Sequence, residues 1–157
     1  MATGETVVMA EGRRMMRLSR QLAPEQFEAL LTEFQTLLRE LFERAGGREV
    51  EVSGDTVTFA FPSARDAAPA AVEAQRAVAA HAWPRGLAIA ISVGLDLHPR
   101  GCADLCDTAE AGQVFLSPAV AGRLEREDLG DLAVHDLGEL RTRRTARQVP
   151  ARELVFP

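Results

Sequence analysis

The sequence has no lysine and no tyrosine, only two cysteines and a single tryptophan. Two cysteines cannot build the disulfide framework of a small secreted domain. The opening Met1-Ala2-Thr3-Gly4-Glu5-Thr6 lacks the basic start and apolar run of a signal peptide. A reducing, cytoplasmic location is therefore the default expectation. No apolar run approaches the roughly 18 residues of a membrane-spanning helix. Positive charge is in the minority: the net charge is −5 and the pI about 5.3, which argues against sequence-independent binding of nucleic acid. Gly-x-Ser-x-Gly, P-loop and G-x-G-x-x-G motifs are all missing. His81, His98 and His135 are scattered without metal-ligand spacing and read as surface or structural residues. Abundant Arg and Ala without Lys or Tyr match the codon bias of a GC-rich bacterial genome, which carries no functional signal.

What is present suits a packed fold. Of 157 residues, 46% are apolar, and the length fits one domain spanning 1–157. Thr6 to Ala10 has the length and composition of a buried strand, with Glu11 to Arg14 as its polar exit. Pro24 suits a first helical position, and Phe27, Leu30, Leu31, Phe34, Leu37, Leu38, Leu41 and Phe42 then recur at three and four. Gly46-Gly47 ends that helix. A second, alanine-rich helix is expected from Asp66 to His81, and a central strand from Leu87 to Leu97. Pro99 to Gly101 stops the strand. A short helix follows from Cys102 to Ala111, a strand from Gln113 to Ser117, and a helix from Pro118 to Leu124. Leu129 to Val134, Leu137 to Arg141 and Val149 to Phe156 close the chain as strands. Cys102 and Cys106, four apart, read as core packing, and the basic run Arg141 to Arg147 as a solvated connection.

Between the first two helices lies a complete hairpin. Val50 and Val52 share one face, as do Val57, Phe59 and Phe61, and Ser53-Gly54-Asp55 supplies the turn. Asp55 at the tip is a carboxylate on a rigid support. By residue type it is a turn former; its neighbours in sequence suggest more. The order strand, helix, strand, strand, helix, strand is that of a ferredoxin-like unit, an α+β fold with both helices on one face of an antiparallel sheet.

These segments together resemble a class III nucleotide cyclase homology domain. Val8 to Leu18 resembles the family's first strand and its F-x-D-I-x-G-F-T motif. Gly46-Gly47 and Ser53-Gly54-Asp55-Thr56-Val57 resemble its glycine pair and G-D hairpin. Leu87 to Gly94 is similar to its R-I-G-I-H-T-G strand, Leu105 to Ser117 to its helix ending in G-Q-I-x-x-S, and Asp136 to Arg141 with Val149-Pro150 to its closing hairpin. The resemblance implies a ferredoxin-like sheet with a C-terminal hairpin extension, shortened after the fourth strand. It also implies a site formed across a head-to-tail dimer. There two aspartates hold two divalent metals, Mg²⁺ or Mn²⁺, that bridge a purine nucleoside triphosphate.

Carried over residue by residue, the second metal aspartate falls on Asp55 and the first on Glu11, a longer carboxylate. The purine-reading lysine falls on Glu51, a charge reversal, and the transition-state arginine on Asp104, another. The segment from Pro99 to Ala103 is too short for the strand bearing the second purine-reading residue, and the place of the ribose-positioning asparagine goes with it. The phosphate-binding lysine has no lysine counterpart, although Arg143 and Arg144 stand nearby as candidate phosphate contacts. Glu11 and Asp55 are therefore candidate metal ligands of a vestigial kind, and no residue is assigned a catalytic role. The expectation is a degenerate, non-catalytic domain acting in signalling through homodimerisation, a protein partner or purine nucleotide binding. The alternative is a working or residual purine nucleotide cyclase with altered metal ligands. No nucleic-acid or membrane partner is expected.

Overall fold

The computed structural model describes residues 4–157. In chain order the elements are β1 (Thr6–Arg13), α1 (Met15–Leu18), α2 (Pro24–Arg44), β2 (Arg48–Ser53), β3 (Thr56–Phe61), α3 (Ala64–Ala80), β4 (Ala90–Asp96), α4 (Pro99–Thr108), β5 (Val114–Leu116), α5 (Pro118–Leu124), β6 (Ala133–Arg141) and β7 (Gln148–Val155). One seven-stranded sheet runs in the order β2-β3-β1-β4-β5-β7-β6, with β4 and β5 parallel and every other neighbouring pair antiparallel. Its first four strands have the expected ferredoxin-like arrangement, and β6 and β7 form the C-terminal hairpin extension.

The long helix forms for the reasons its sequence gives. Pro24 sits in the first turn, and the Gln26 side chain accepts a hydrogen bond from the Ala23 N–H at 2.9 Å. Its apolar face buries Leu30, Phe34, Leu38, Leu41 and Phe42. Gly46 adopts φ 94°, and the Gly47 N–H returns to the Phe42 carbonyl at 2.9 Å, closing the helix. Helix α3 begins two residues before Asp66: Ser63 caps it by accepting from the Asp66 N–H at 3.2 Å. Both helices cover the face of the sheet that carries Val8, Ala10, Val57, Phe59 and Phe61. Each fully buried aromatic or leucine on that face contributes about 1.5–3 kcal/mol of transfer free energy. Trp83 anchors the end of α3, its indole N–H donating to the Val78 carbonyl at 3.0 Å.

The opposite face carries a second, smaller apolar cluster. Val7 and Met9, alternating with Val8 and Ala10, pack against Cys102 and Cys106 of α4. Both thiols are buried, and they donate weakly to the carbonyls of Val7 and Met9. Burial pushes both thiol pKa values well up, so these cysteines act as small apolar residues.

Other boundaries also differ from expectation. Strand β1 continues through Glu11 to Arg13, because those residues remain paired with β3 and β4. Residues 87–89 lie outside the β4 ladder, although Ile89 stays buried. Pro99 opens α4 three residues before Cys102, since proline suits a first helical turn as well as it stops a strand. Leu129 and Leu132 pack against the core from a loop, and the closing strand is continuous over 133–141. In the hairpin, a bulge between Glu49 and Glu51 displaces Val50, which is 37% exposed. A second bulge lies between Asp136 and Gly138 in β6.

Helix α4 lies close to the sheet because Gly94 has no side chain. A Cβ there would sit 2.6 Å from the Cys102 carbonyl oxygen and 2.9 Å from the Leu105 Cβ. Gly94→Ala must therefore push α4 outward. The expected cost is about 1–3 kcal/mol, seen as a lower urea midpoint with an unchanged slope in equilibrium unfolding.

Candidate functional site

Three chain segments meet at one end of β1. Glu11 pairs with Thr56 on β3 and with Ser92 on β4. Strand alternation places it on the α4 side with Val7 and Met9. The β2–β3 turn comes to the same end: the Gly12 N–H donates to the Asp55 carbonyl at 2.8 Å. Gly54 takes φ 57° to make the turn, and Gln35 of α2 holds its carbonyl at 2.7 Å. The third segment is the connection between β6 and β7, which lays Arg144 onto Glu11.

Arg144 is the hub. Its Nη2 donates to both Glu11 carboxylate oxygens, at 3.0 and 3.2 Å. Its Nε lies 3.3 Å from Asp107 Oδ1, and its backbone N–H donates to Asp107 Oδ2 at 2.9 Å. Arg13 approaches Glu11 from the other side at 3.7 Å and donates to the Cys106 carbonyl at 3.3 Å. The Glu11 charge raises the Arg144 pKa above its ordinary value. Asp55 has no such partner at hydrogen-bond distance among the described residues. Burial, and then the neighbouring Glu11 charge, lift its carboxyl above the ordinary aspartate range.

The other residues singled out by the sequence are also located. Arg143 pairs with Glu110. Asp104 accepts from Arg147 at 2.8 Å. Glu51 is exposed on β2, opposite Thr58. Only two residues, Leu97 and His98, separate β4 from α4, so no strand intervenes. The basic connection is not simply solvated: Arg143, Arg144 and Arg147 each meet a carboxylate on or just after α4. Asp107 carries no signal of its own in the sequence, whereas Arg13 stands out there as half of the Arg13-Arg14 basic cluster. The signal for Asp107 was the spacing of Asp104, Asp107 and Glu110, three apart on the helix side, against three arginines on one connection.

Glu11 and Asp55 are where a divalent pair would have to bind. In this arrangement they do not fit one. Both Glu11 oxygens are taken by a guanidinium, and two arginines offset two of the three carboxylate charges of Glu11, Asp55 and Asp107. Two added divalent ions would face little remaining negative charge. Among the described residues, no group of three or more His, Cys, Asp or Glu side chains gathers with metal-binding geometry.

Comparison with known proteins places the fold. No family model and no curated protein sequence matches the chain. Solved structures do. The guanylate cyclase domain of RhGC from Catenaria anguillulae, solved with GTP, is 16% identical over 97% of this chain and 96% of its own, with a TM-score of 0.82. The adenylyl cyclase CyaB from P. aeruginosa is 19% identical over 98% and 94%, with a TM-score of 0.71. An adenylate cyclase from Trypanosoma brucei is 18% identical over 96% and 87%, with a TM-score of 0.76. The chain has the fold of class III adenylyl and guanylyl cyclase catalytic domains, as its motifs suggested. No helix among the described residues is long and apolar enough to cross a membrane.

Two measurements probe this cluster. Arg144→Ala leaves Glu11, whose side chain is 14% exposed, with only the distant Arg13. Arg144 itself is 64% exposed, so the loss is expected at the low end for a paired charge, about 1 kcal/mol. Glu11→Gln in the same background should recover most of it. The raised Asp55 pKa means that the native state holds this proton more tightly than the unfolded chain. Its contribution is full below the ordinary aspartate pKa and is lost as pH rises through the folded value. Asp55→Asn should therefore melt higher than the parent at pH 7, with the difference closing toward pH 3.

Proposed function

We propose that this chain is a cyclase-fold domain that does not convert nucleotides and acts in signalling by association, with a second copy of itself or with another protein. The observation that carries the reading is the Glu11–Arg144 pair. A protein-borne cation sits on the carboxylate that resemblance assigns to the first metal, and a guanidinium cannot activate a ribose hydroxyl as a divalent ion does. Composition supports the same reading. The chain contains neither lysine nor asparagine, so a homodimer cannot supply the purine-reading lysine or the ribose-positioning asparagine from either subunit. The transition-state arginine is replaced by Asp104, itself neutralised by Arg147. Each lost electrostatic group costs about 10²–10³ in rate, so ordinary turnover does not survive several losses at once. In this reading Glu11 and Asp55 are vestigial metal ligands, and Arg143 and Arg144 are structural cations first and phosphate contacts only if released.

The neighbours in structure include both dimers and monomers. One is described as a non-canonical dimeric guanylyl cyclase domain from Blastocladiella emersonii, whereas the Trypanosoma brucei enzymes were solved as monomers. The fold is thus compatible with both states. The domain spans 1–157, with no internal linker in its sequence.

Incubation with ATP or GTP and Mn²⁺ or Mg²⁺ tests the catalytic side. The expected result is no cyclic nucleotide above a protein-free blank. Metal-dependent cyclic product that disappears in Asp55→Ala would overturn the proposal and establish the altered-ligand cyclase instead. Sedimentation over a hundredfold concentration range tests association, with a concentration-dependent dimer expected.

A further inference from the structure

Between α5 and the start of β6 lies an open groove of about 490 Å³. Its floor is apolar: Leu129, Leu132 and Val134 line it, partly buried, and pack against the core. Its rim is acidic. Glu125, Glu127, Asp128 and Asp136 line it, against one arginine, Arg152. Two of the four are engaged: Asp136 lies 3.3 Å from Arg152, and Glu127 lies 3.9 Å from Arg65. Glu125 and Asp128 are exposed and meet no cation among the described residues. Asp128 Oδ1 accepts only from the Gly130 N–H, at 3.0 Å. None of the residues that the cyclase resemblance assigns to a site lines this groove.

The chain carries the complement elsewhere. Arg14, at φ 61°, turns the chain sharply from β1 into α1. Met15 and Leu18 pack against the core, which leaves Met16, Arg17 and Arg20 on the outer side. The helical turn continues past α1, with the Arg20 N–H donating to the Arg17 carbonyl at 3.2 Å. Met16 is 56% exposed, the most of any large apolar side chain among the described residues. Arg17 and Arg20 are exposed and make no ion pair and no side-chain hydrogen bond among the described residues. Methionine and arginine are enriched where proteins meet, and methionine adapts to an irregular apolar surface. Two copies of a chain with net charge −5 repel on average, so a contact between them needs local patches of opposite sign. This knob and this groove are such a pair.

We propose that two copies of this chain associate by seating α1 of each in the α5–β6 groove of the other. Met16 enters over Leu129, Leu132 and Val134, and Arg17 and Arg20 meet Glu125 and Asp128 at the rim. The contact joins unlike surfaces, and reciprocal exchange closes it as a two-fold dimer. The inference rests on the association reading above and names a surface for it. It differs from the head-to-tail dimer implied by resemblance, since Glu11, Glu51 and Asp55 stay outside it.

Sedimentation of the full chain tests it with two variants. Met16→Asp/Arg17→Glu spoils the knob. Glu125→Arg/Asp128→Asn spoils the groove and keeps an oxygen for the Gly130 N–H. Both replace exposed side chains, and unchanged melting temperatures verify that they fold. Each variant alone should self-associate at least tenfold more weakly than the parent. An equimolar mixture retains one intact contact, and should form a heterodimer at least tenfold tighter than either variant's own dimer. Glu51→Arg should leave the parent dimer within twofold. Raising NaCl from about 50 to about 500 mM should weaken the parent dimer about tenfold, because the rim charges are exposed to screening. A parent dimer that neither variant weakens, a mixture that regains nothing, or loss of the dimer in Glu51→Arg would each overturn the proposal and leave association through another surface intact. A parent chain that stays monomeric to millimolar concentration would overturn it together with self-association. Cyclic nucleotide formation would overturn the non-catalytic reading and leave this contact standing.

Discussion

A carboxylate that is 14% exposed at the end of a central strand must have a positive partner, and most of this end of the molecule is arranged to give Glu11 one. A buried charge without a partner is costly. The nearer partner is Arg144, with Arg13 at 3.7 Å, and Asp107 holds Arg144 by its backbone N–H and its Nε. Asp107 is in place only because α4 lies low over β1 and β4. That in turn depends on Gly94 and on two cysteines small enough to pack against Val7 and Met9. One electrostatic requirement thus ties together the centre of the sheet, the helix on its second face and the closing hairpin.

The same arrangement answers an electrostatic problem. Two carboxylates on adjacent strand ends repel one another, and burial first and then the Glu11 charge hold the Asp55 carboxyl above the ordinary aspartate range. A mobile divalent ion can relieve such repulsion, and so can a tethered cation. Arginine has a fixed charge and a fixed fork, so it neutralises Glu11 without opening coordination positions to substrate. Asp104 and Arg147 repeat the pattern one turn away. The result is a site in which Glu11, Asp104 and Asp107 are each paired with an arginine of the chain itself.

Much of this was legible in the sequence because the strongest signals there are local. The apolar period of α2, the alternation in β3, and the turn at Ser53-Gly54-Asp55 each specify their element without outside help. Their order was enough to suggest the fold. Val50 was misplaced because a bulge shifts the alternation by one residue, and nothing in Glu49-Val50-Glu51 marks it. The start of α4 was missed because Pro99 satisfies two rules at once. The pairing of Arg144 with Glu11 spans 133 residues of sequence and follows from no local pattern. Nor does any rule assign φ 61° to an arginine, so Arg14 gave no warning.

The two bulges reported above both lie in outermost strands, one in β2 and one in β6. Beside the first stand Arg48, Glu49 and Glu51, and beside the second Asp136 and Glu139, all exposed. An edge that is kinked and charged is a poor template for another strand. Both ends of the sheet therefore disfavour continuation of its hydrogen-bond ladder into a neighbouring molecule. Assembly of these chains is thus steered toward side chains meeting across surfaces, which leaves specificity to shape and charge rather than to backbone pairing.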